Sequence, residues 1–403
     1  MPSNRSLTIL GFVGYLLIGT AAVLMPSVMP LLTREYTATG LSLAAVGFVF
    51  PAMAIGGILG NLLSGVGSDV AGRTRSVWLA ALALAGAWAL AALAGPWLLF
   101  LVALIAVGTA QGGLSTGINA LIADVNRDAR SRALNSLHGI YGIGAALSPL
   151  IFGVLLARGL PWRLAMAGVA LMWLLYGVGA WRFDRRRRGP QEEQVRSRPD
   201  FGMLRAAPFL ALFAVAFIYN GVAYSLLGWI ALFMQETAGF TLFFSISMVS
   251  VFYIGLTTGR FLCAAFSERI GYARTLLILA AGITLTYPLV VAGGAPWRMV
   301  VGVFLTGLSL SGLFPTAMAM GARLYPEQTG TLSGTLNVGM TLGAMIPPLW
   351  TGFVAARGGF QTALAVNYVM VLLLLGIALY LKRIDAPTVE PQPADNRQTA
   401  SHG

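Results

Sequence analysis

The sequence has little of what soluble enzymes and disulfide-bonded secreted proteins are built from. Its 403 residues include one cysteine, Cys263, and two histidines, so neither a disulfide framework nor a cysteine-based metal site can be assembled. Only 10% of the residues are charged, and no Ser-His-Asp, metal-ligand or paired-carboxylate grouping is present. We therefore predict no catalytic residues, no metal, no cofactor and no enzymatic activity. A glycine-rich phosphate loop is also missing, which argues against primary ATP-driven transport.

Apolar residues are abundant instead, at 57% of the chain, with a mean hydropathy of +0.78. A helix needs roughly 20 apolar residues to cross about 30 Å of hydrocarbon. Twelve runs of about this length occur, near residues 7–32, 41–63, 76–95, 98–123, 134–157, 164–182, 208–235, 241–264, 275–293, 298–322, 332–356 and 361–382. These runs are continuously apolar and do not alternate with a period of two, which favours membrane helices over the strands of a barrel.

The two halves of the chain repeat each other at a fixed offset of 199 residues. Among the matching positions, Ser68, Asp69, Gly72 and Arg75 recur as Ser267, Glu268, Gly271 and Arg274. No insertion interrupts this register over about 120 residues. A repeat this long in so apolar a chain indicates a duplicated membrane bundle and not a stack of soluble repeats.

Basic residues predict the orientation of these spans. The segments on one side hold all but five of the 26 lysine and arginine residues. The five exceptions are Arg34, Arg158, Arg163, Arg298 and Arg357. Because positive residues accumulate in cytoplasmic loops, both termini are expected on the cytoplasmic side of a bacterial-type inner membrane. The net charge of +12 then reflects topology and contact with anionic lipid, and nucleic-acid binding is not expected.

Composition also divides the chain into four parts. Residues 1–182 form the first six-helix bundle, 183–204 a basic cytoplasmic linker, 205–382 the second bundle, and 383–403 a polar tail expected to be disordered. The expected partners are the lipid bilayer and a small-molecule substrate, with a proton as a candidate coupling ion. The sequence leaves the oligomeric state open, and a monomer is the working expectation.

One loop pattern resembles a known family. Gly65, Asp69, Gly72, Arg73 and Arg75, between the second and third spans, are similar to the cytoplasmic loop signature of the major facilitator superfamily. A weaker second copy follows the eighth span, and with the twelve spans and the basic linker the resemblance covers nearly the whole chain. It implies an all-α membrane protein of twelve transmembrane helices in two pseudo-symmetric six-helix bundles.

Six charged residues and one glycine in or near these loops are candidates for gating. They are Asp69, Gly72, Arg73, Arg75, Arg260, Glu268 and Arg274. An acid at a helix end can pair with arginine across the seam between neighbouring helices, and such pairs would close only while the cavity faces outward. The alternative is that these residues only cap helices and fix topology. For Arg260, binding of an anionic substrate, pairing with Glu268 and snorkelling towards headgroups are all open.

A narrower resemblance is to the fucose, glucose and galactose proton symporter branch. The stretch from Ser115 to Asn119 and the stretch from Tyr219 to Ala223, followed by Gly228 and Trp229, are similar to polar motifs of that branch. Its membrane carboxylates are missing, because Ser115 and Ala223 stand where glutamates are expected. All fourteen acidic residues fall in loops, tails or span ends. The proton mechanism that the resemblance implies therefore lacks its usual groups.

His138, in the fifth span, is the remaining candidate for coupling. A histidine inside a membrane can titrate near physiological pH, although it can equally donate to a backbone carbonyl at a helix contact. Its equivalent in the second half is Asn337. The predicted substrate-binding set comprises the polar and aromatic residues of the spans: His138, Asn119, Gln111, Asn220, Tyr224, Trp229, Asn337 and Tyr141.

The sequence as a whole predicts a secondary active or facilitative transporter that moves a small polar solute, with a sugar as first candidate, by alternating access. Symport with a proton is one mode of coupling. The alternatives are a drug or lipid exporter of the same fold and a membrane sensor or scaffold that binds a ligand without moving it.

Overall fold

The computed structural model describes residues 4–126, 130–185 and 202–385. Fourteen α-helices are present in these ranges. They are α1 Asn4–Ala22, α2 Leu24–Ala38, α3 Leu43–Val46, α4 Val49–Ala71, α5 Arg73–Leu93, α6 Trp97–Val125, α7 Arg130–Ala157, α8 Trp162–Arg185, α9 Ala207–Ala238, α10 Leu242–Ile270, α11 Tyr272–Val291, α12 Pro296–Leu310, α13 Leu313–Leu324 and α14 Thr329–Ile384. Short 3₁₀ turns occupy Gly202–Arg205 and Pro326–Gln328.

Eleven segments of the described chain are long and apolar enough to cross a membrane. The last one, Thr331–Ile384, has 54 residues and would be about 80 Å long if straight, far beyond the roughly 30 Å of hydrocarbon. Gly359, with a φ of 78°, breaks it into two crossings. The described spans therefore number twelve, which confirms the predicted all-α, twelve-helix membrane fold.

Besides the span at Leu43–Leu63, which joins the short α3 to α4, two crossings are built from two helices each. The first spans Asn4–Ala38 and is interrupted at Val23, while the tenth spans Pro296–Leu324 and is interrupted at Ser311 and Gly312. Pro315 explains the second break, because proline has no N–H to donate to the carbonyl of Ser311 four residues earlier. The first span is longer than the expected 7–32 because the polar residues from Thr33 to Ala38 remain helical.

Glycines set the spacing of the central helices, and they do so identically in both halves. A side chain at Gly56 of α4 would meet the carbonyl of Ile105 in α6, and Gly255 of α10 stands in the same relation to Phe304 in α12. Gly60 likewise faces the carbonyl of Thr109. The glycines recur at the offset of 199 and their carbonyl partners stand at equivalent positions, so the sequence repeat is a repeat of backbone contacts.

The two groups of six spans contact each other at the end away from the N-terminus. Phe48 and Phe353 meet edge to face with ring centroids 6.3 Å apart, and Phe50 lies 5.6 Å from Trp229. We call these contacts the outer seam. Farther towards the N-terminal end, His138 of α7 and Asn337 of α14 are exposed although both lie within spans. The interior is therefore open towards the end that carries the N-terminus.

The structure adjusts the boundaries of two expected segments. Helix α8 continues through Phe183 to Arg185, so the expected linker of residues 183–204 begins inside a helix, and residues 186–201 lie outside the described part. The tail expected at 383–403 likewise lies outside it from residue 386 onward.

Candidate functional site

A cluster of polar side chains joins three spans of the first half. Asn119 of α6 donates to the hydroxyl of Tyr15 in α1 and, at 3.0 Å, to the carbonyl of Ser115 one turn away. The hydroxyls of Tyr15 and Ser115 are 3.1 Å apart, and the ring of His138 in α7 meets that of Tyr15 edge to face at 5.4 Å. We call these four residues the polar cluster. Its exposed member, His138, connects it to the open interior.

Helices α7 and α10 form the seam between the two halves beside this cluster. Tyr141 of α7 meets Tyr253 of α10 edge to face, with ring centroids 6.5 Å apart. At the next residue of α7, a side chain on Gly142 would lie 2.8 Å from the hydroxyl of Thr257 in α10. The positive charge of Arg260, a turn farther along α10, acts on both His138 and Tyr141.

The second half contributes an aromatic wall. Tyr219 of α9 stacks on Phe314 of α13 with ring centroids 6.3 Å apart and planes within 18°. Tyr224, also on α9, is half-buried and lies within electrostatic range of Tyr141 and Tyr219. Predicted binding residues Tyr141 and Tyr224 are thus brought into one region with His138 and Asn119.

Other predicted binding residues serve the contacts between helices. Trp229 is fully buried and donates its indole N–H to the carbonyl of Pro348 at 2.8 Å. Asn220 is buried and donates to the carbonyl of Met340 at 2.7 Å. Both therefore tie α9 to α14 in this state, and neither is open to the interior.

The remaining two predicted binding residues keep unused hydrogen-bonding capacity. Gln111 lies one turn before Ser115 on α6, and its side-chain oxygen is buried without a hydrogen-bond partner among the described residues. Asn337 is exposed and donates to Ser333 within its own helix at 2.8 Å. An unsatisfied buried oxygen such as that of Gln111 costs about 1 to 3 kcal/mol, which a donor on a ligand would offset.

The predicted gating loops have the expected glycine turns. Gly72 and Gly271 both have positive φ, 85° and 91°, and each accepts the first hydrogen bond of the following helix. A non-glycine residue would be strained at both positions. Arg73 pairs with Asp124 at 3.0 Å within the first half. This pair joins neighbouring helices of one bundle and does not cross the seam between the halves.

Most of the other gating candidates are exposed to solvent in this state. Arg75, Glu268 and Arg274 are exposed, and the side chain of Asp69 lies outside the described part. Within the part of the chain that the structure describes, Arg260 and Glu268 form no ion pair with each other. The pairing of Arg260 with Glu268 that the sequence left open is therefore not formed in this state.

Sequence reasoning did not assign Tyr253 or Thr257 to the site. Both lie on the face of α10 that also carries Arg260: Tyr253 is seven residues before it and Thr257 is three residues before it. Helical spacing from Arg260 was the signal that could have found them, because residues three, four and seven apart share a face. Ser115 of the polar cluster was also absent from the predicted binding set.

Comparison with known proteins decides the family. The sequence profile of the Major Facilitator Superfamily matches residues 7–298 and 246–401, which together cover nearly the whole chain. The chain belongs to the Major Facilitator Superfamily. It is accordingly a multi-pass membrane transporter of small molecules.

Curated relatives of this facilitator are distant. It is 24% identical over 368 residues to the uncharacterized MFS-type transporter YfkL of Bacillus subtilis, with 86% of this chain and 88% of YfkL covered. It is 20% identical over 403 residues to the glucose/mannose transporter GlcP of the same organism, with 98% of each covered. A hexuronate transporter of Bacillus subtilis is 22% identical over 390 residues, with 89% of each chain covered.

Solved structures of other transporters share the fold. A bacterial homologue of the human lysosomal transporter Spinster, in an inward-facing and unoccupied conformation, superposes with a TM-score of 0.77 at 14% identity over 95% of this chain and 98% of that one. The nucleoside transporter NupG superposes with a TM-score of 0.76 at 13% identity, covering 94% and 99% of the two chains.

Proposed function

We propose that this facilitator moves a small polar solute, with a sugar as first candidate, across the cytoplasmic membrane by alternating access. The observation that carries the proposal is the polar cluster of Tyr15, Ser115, Asn119 and His138. It joins three spans inside a bundle that is open at one end and closed at the other.

The chemistry of the interior suits a hydroxylated ligand. Asn119 and Tyr15 offer donors and acceptors, Gln111 has an oxygen without a partner, and Tyr219 and Phe314 provide a flat aromatic surface. Sugars combine hydroxyl groups with apolar C–H faces, and sites that recognise such ligands combine a few polar groups with aromatic walls. Two of the relatives, a glucose/mannose transporter and a hexuronate transporter, support the same class of substrate.

Alternating access requires the outer seam to open. Phe48 lies against Phe353 and Phe50 against Trp229, so in this state the cavity is closed by aromatic contacts on one side. When the two bundles rock, these contacts would separate and the loops at the other end would approach. At that end, which carries the N-terminus, the arginines Arg73, Arg75 and Arg274 and the acids Asp69 and Glu268 would then pair across the seam between the two bundles. The pair of Arg73 with Asp124 keeps one of these arginines occupied while the seam is open.

We propose that His138 couples transport to a proton. It is exposed to the open interior and touches the cluster through Tyr15, so a change in its charge would be felt by a ligand held there. A histidine can make this change without a membrane carboxylate. The groups near it are Tyr15 from α1, Tyr141 one turn along its own helix, and Arg260 from α10.

The proposed orientation places both termini in the cytoplasm. Arg34, Arg163 and Arg298 lie at the outer-seam end, as the positive-inside rule requires of the less basic side. The open end of the cavity then faces the cytoplasm, and the working assembly is a monomer in the lipid bilayer.

Uptake by purified protein in liposomes, with and without an imposed proton gradient, tests the proposal. We expect accumulation of a labelled sugar or sugar derivative that rises with an inward proton gradient. Efflux of amphiphilic dyes without transport of any sugar would replace the proposal with the exporter alternative. Binding of a sugar without movement across the membrane would favour a sensor or scaffold.

A further inference from the structure

Helices α7 and α10 run antiparallel, and their contacts fix which residues face each other. Tyr141 meets Tyr253, and Gly142 faces Thr257. Farther towards the outer seam, a side chain on Gly153 would lie 3.2 Å from Phe243. Continuing this register by one turn in the other direction places His138 beside Arg260. The charge of Arg260 does reach the His138 ring.

The two basic side chains have no acid opposite them in the part of the chain that the structure describes. The described acids are engaged or distant: Asp124 pairs with Arg73, Glu35 pairs with Arg163, Asp184 accepts from Trp78, and Asp385 pairs with Arg323. Glu236, Glu268 and Glu327 lie at or beyond helix ends. A cation in a low-dielectric interior without a counter-charge is costly, so such a site favours an anion.

The internal repeat shows that helix packing does not require this charge. At the offset of 199 residues, Arg260 corresponds to Asn61 and His138 to Asn337. The pseudo-symmetric position on α4 and α14 thus carries two neutral amides, and both are exposed. The positive charge is confined to one of two equivalent positions, as expected for a group that binds a ligand.

Snorkelling to lipid headgroups does not account for Arg260. The residue shares its helix face with Tyr253 and Thr257, which point at α7 and not at the lipid, and it is only partly exposed.

We propose that the solute is a small organic anion, of the sugar-acid type, whose carboxylate binds between Arg260 and His138. Its hydroxyl groups would reach Asn119 and Tyr15, which lie beside His138 in the polar cluster. This inference rests on the proposed function, since it narrows the sugar class to its carboxylated members. The ligand would supply the counter-charge that the protein lacks, and a proton on His138 would be stabilised while the carboxylate is bound.

Uptake into liposomes of glucuronate and of glucose, offered separately to the full-length protein, tests the inference. We expect saturable uptake of glucuronate, inhibited by gluconate and weakly or not at all by glucose. In the variant Arg260→Gln the KM for glucuronate should rise by about tenfold to a hundredfold, the usual effect of losing a hydrogen bond to a charged group. The KM of Arg260→Lys should lie between that of the unmodified protein and that of Arg260→Gln.

Arg269→Gln is the matched control, because Arg269 is an exposed arginine at the end of the same helix. Its KM should equal that of the unmodified protein. For variants that fail to transport, thermal stabilisation of the purified protein by glucuronate against glucose gives the same comparison.

The outcomes separate the two proposals. Uptake of glucose without uptake of glucuronate would overturn the anion inference and leave the sugar function standing. Transport of amphiphilic compounds in place of either sugar would overturn both. An equal KM for glucuronate in Arg260→Gln and Arg269→Gln would remove Arg260 from the binding site.

Discussion

Two glycines of α4, three residues apart, provide a sharp test of how the bundles are held together. A methyl group on Gly60 would overlap the backbone carbonyl of Thr109 in α6, whereas a methyl group on Gly57 would meet no atom of the described residues within 4 Å. The second half supports the distinction, because Gly60 recurs as Gly259 while Gly57 is replaced by Leu256. The replacement Gly60→Ala should therefore destabilise the protein, and Gly57→Ala should not.

The expected magnitudes follow from what must move. At Gly60 the obstacle is backbone, which cannot rotate away, so α4 and α6 must separate at a cost of about 1 to 3 kcal/mol. At Gly57 the added methyl group restricts only the unfolded chain, which changes stability by between zero and a gain of about 1 kcal/mol. The two variants should differ by about 1 to 4 kcal/mol, although each adds one methyl group to the same helix.

Unfolding of the purified protein in mixed micelles of a mild detergent and dodecyl sulfate, followed by tryptophan fluorescence, measures this difference. The midpoint for Gly60→Ala should lie well below that of the unmodified protein, and Gly259→Ala should repeat the loss in the second half. Equal midpoints for Gly60→Ala and Gly57→Ala would refute the reasoning, since they would show that α4 and α6 do not pack as described.

Two further predictions concern transport. Replacing His138 with Gln should abolish accumulation driven by a proton gradient while exchange of labelled for unlabelled substrate continues; unchanged accumulation would show that another group titrates. Cysteines at Phe48 and Phe353, in a background where Cys263 is replaced by serine, should react with a short reducible bifunctional reagent, because the two rings are 6.3 Å apart. The cross-link should stop transport until it is reduced, and transport that persists through it would contradict the opening of the outer seam.

Much of the fold could be predicted because hydropathy marks crossings and the repeat marks equivalent positions. Hydropathy does not mark where helices end. It therefore predicts the first span at 7–32, although α2 continues to Ala38. The repeat pairs Gly60 with Gly259, and the structure adds the carbonyl that each of them faces.

The site could be predicted only in part, since a span that is apolar on all sides does not show which face is turned inward. The sequence alone favours Trp229 and Asn119 equally as residues that contact the ligand. The structure buries Trp229 against Pro348, whereas it joins Asn119 to Tyr15 from a span more than a hundred residues away. Such contacts between distant segments leave no signal in a single sequence.

The two halves have kept the same packing but not the same chemistry. The carbonyl contacts of Gly56 and Gly255 are equivalent, yet Tyr15, Ser115 and Asn119 correspond to Ala214, Phe314 and Met318. The first half therefore carries the hydrogen-bonding groups, and the second half presents an aromatic surface and Arg260. A ligand between them would be held by its hydroxyl groups on one side and by its charge and apolar face on the other. Rocking of the bundles would then change both sets of contacts at once, which is how binding a substrate can shift the balance between the two states.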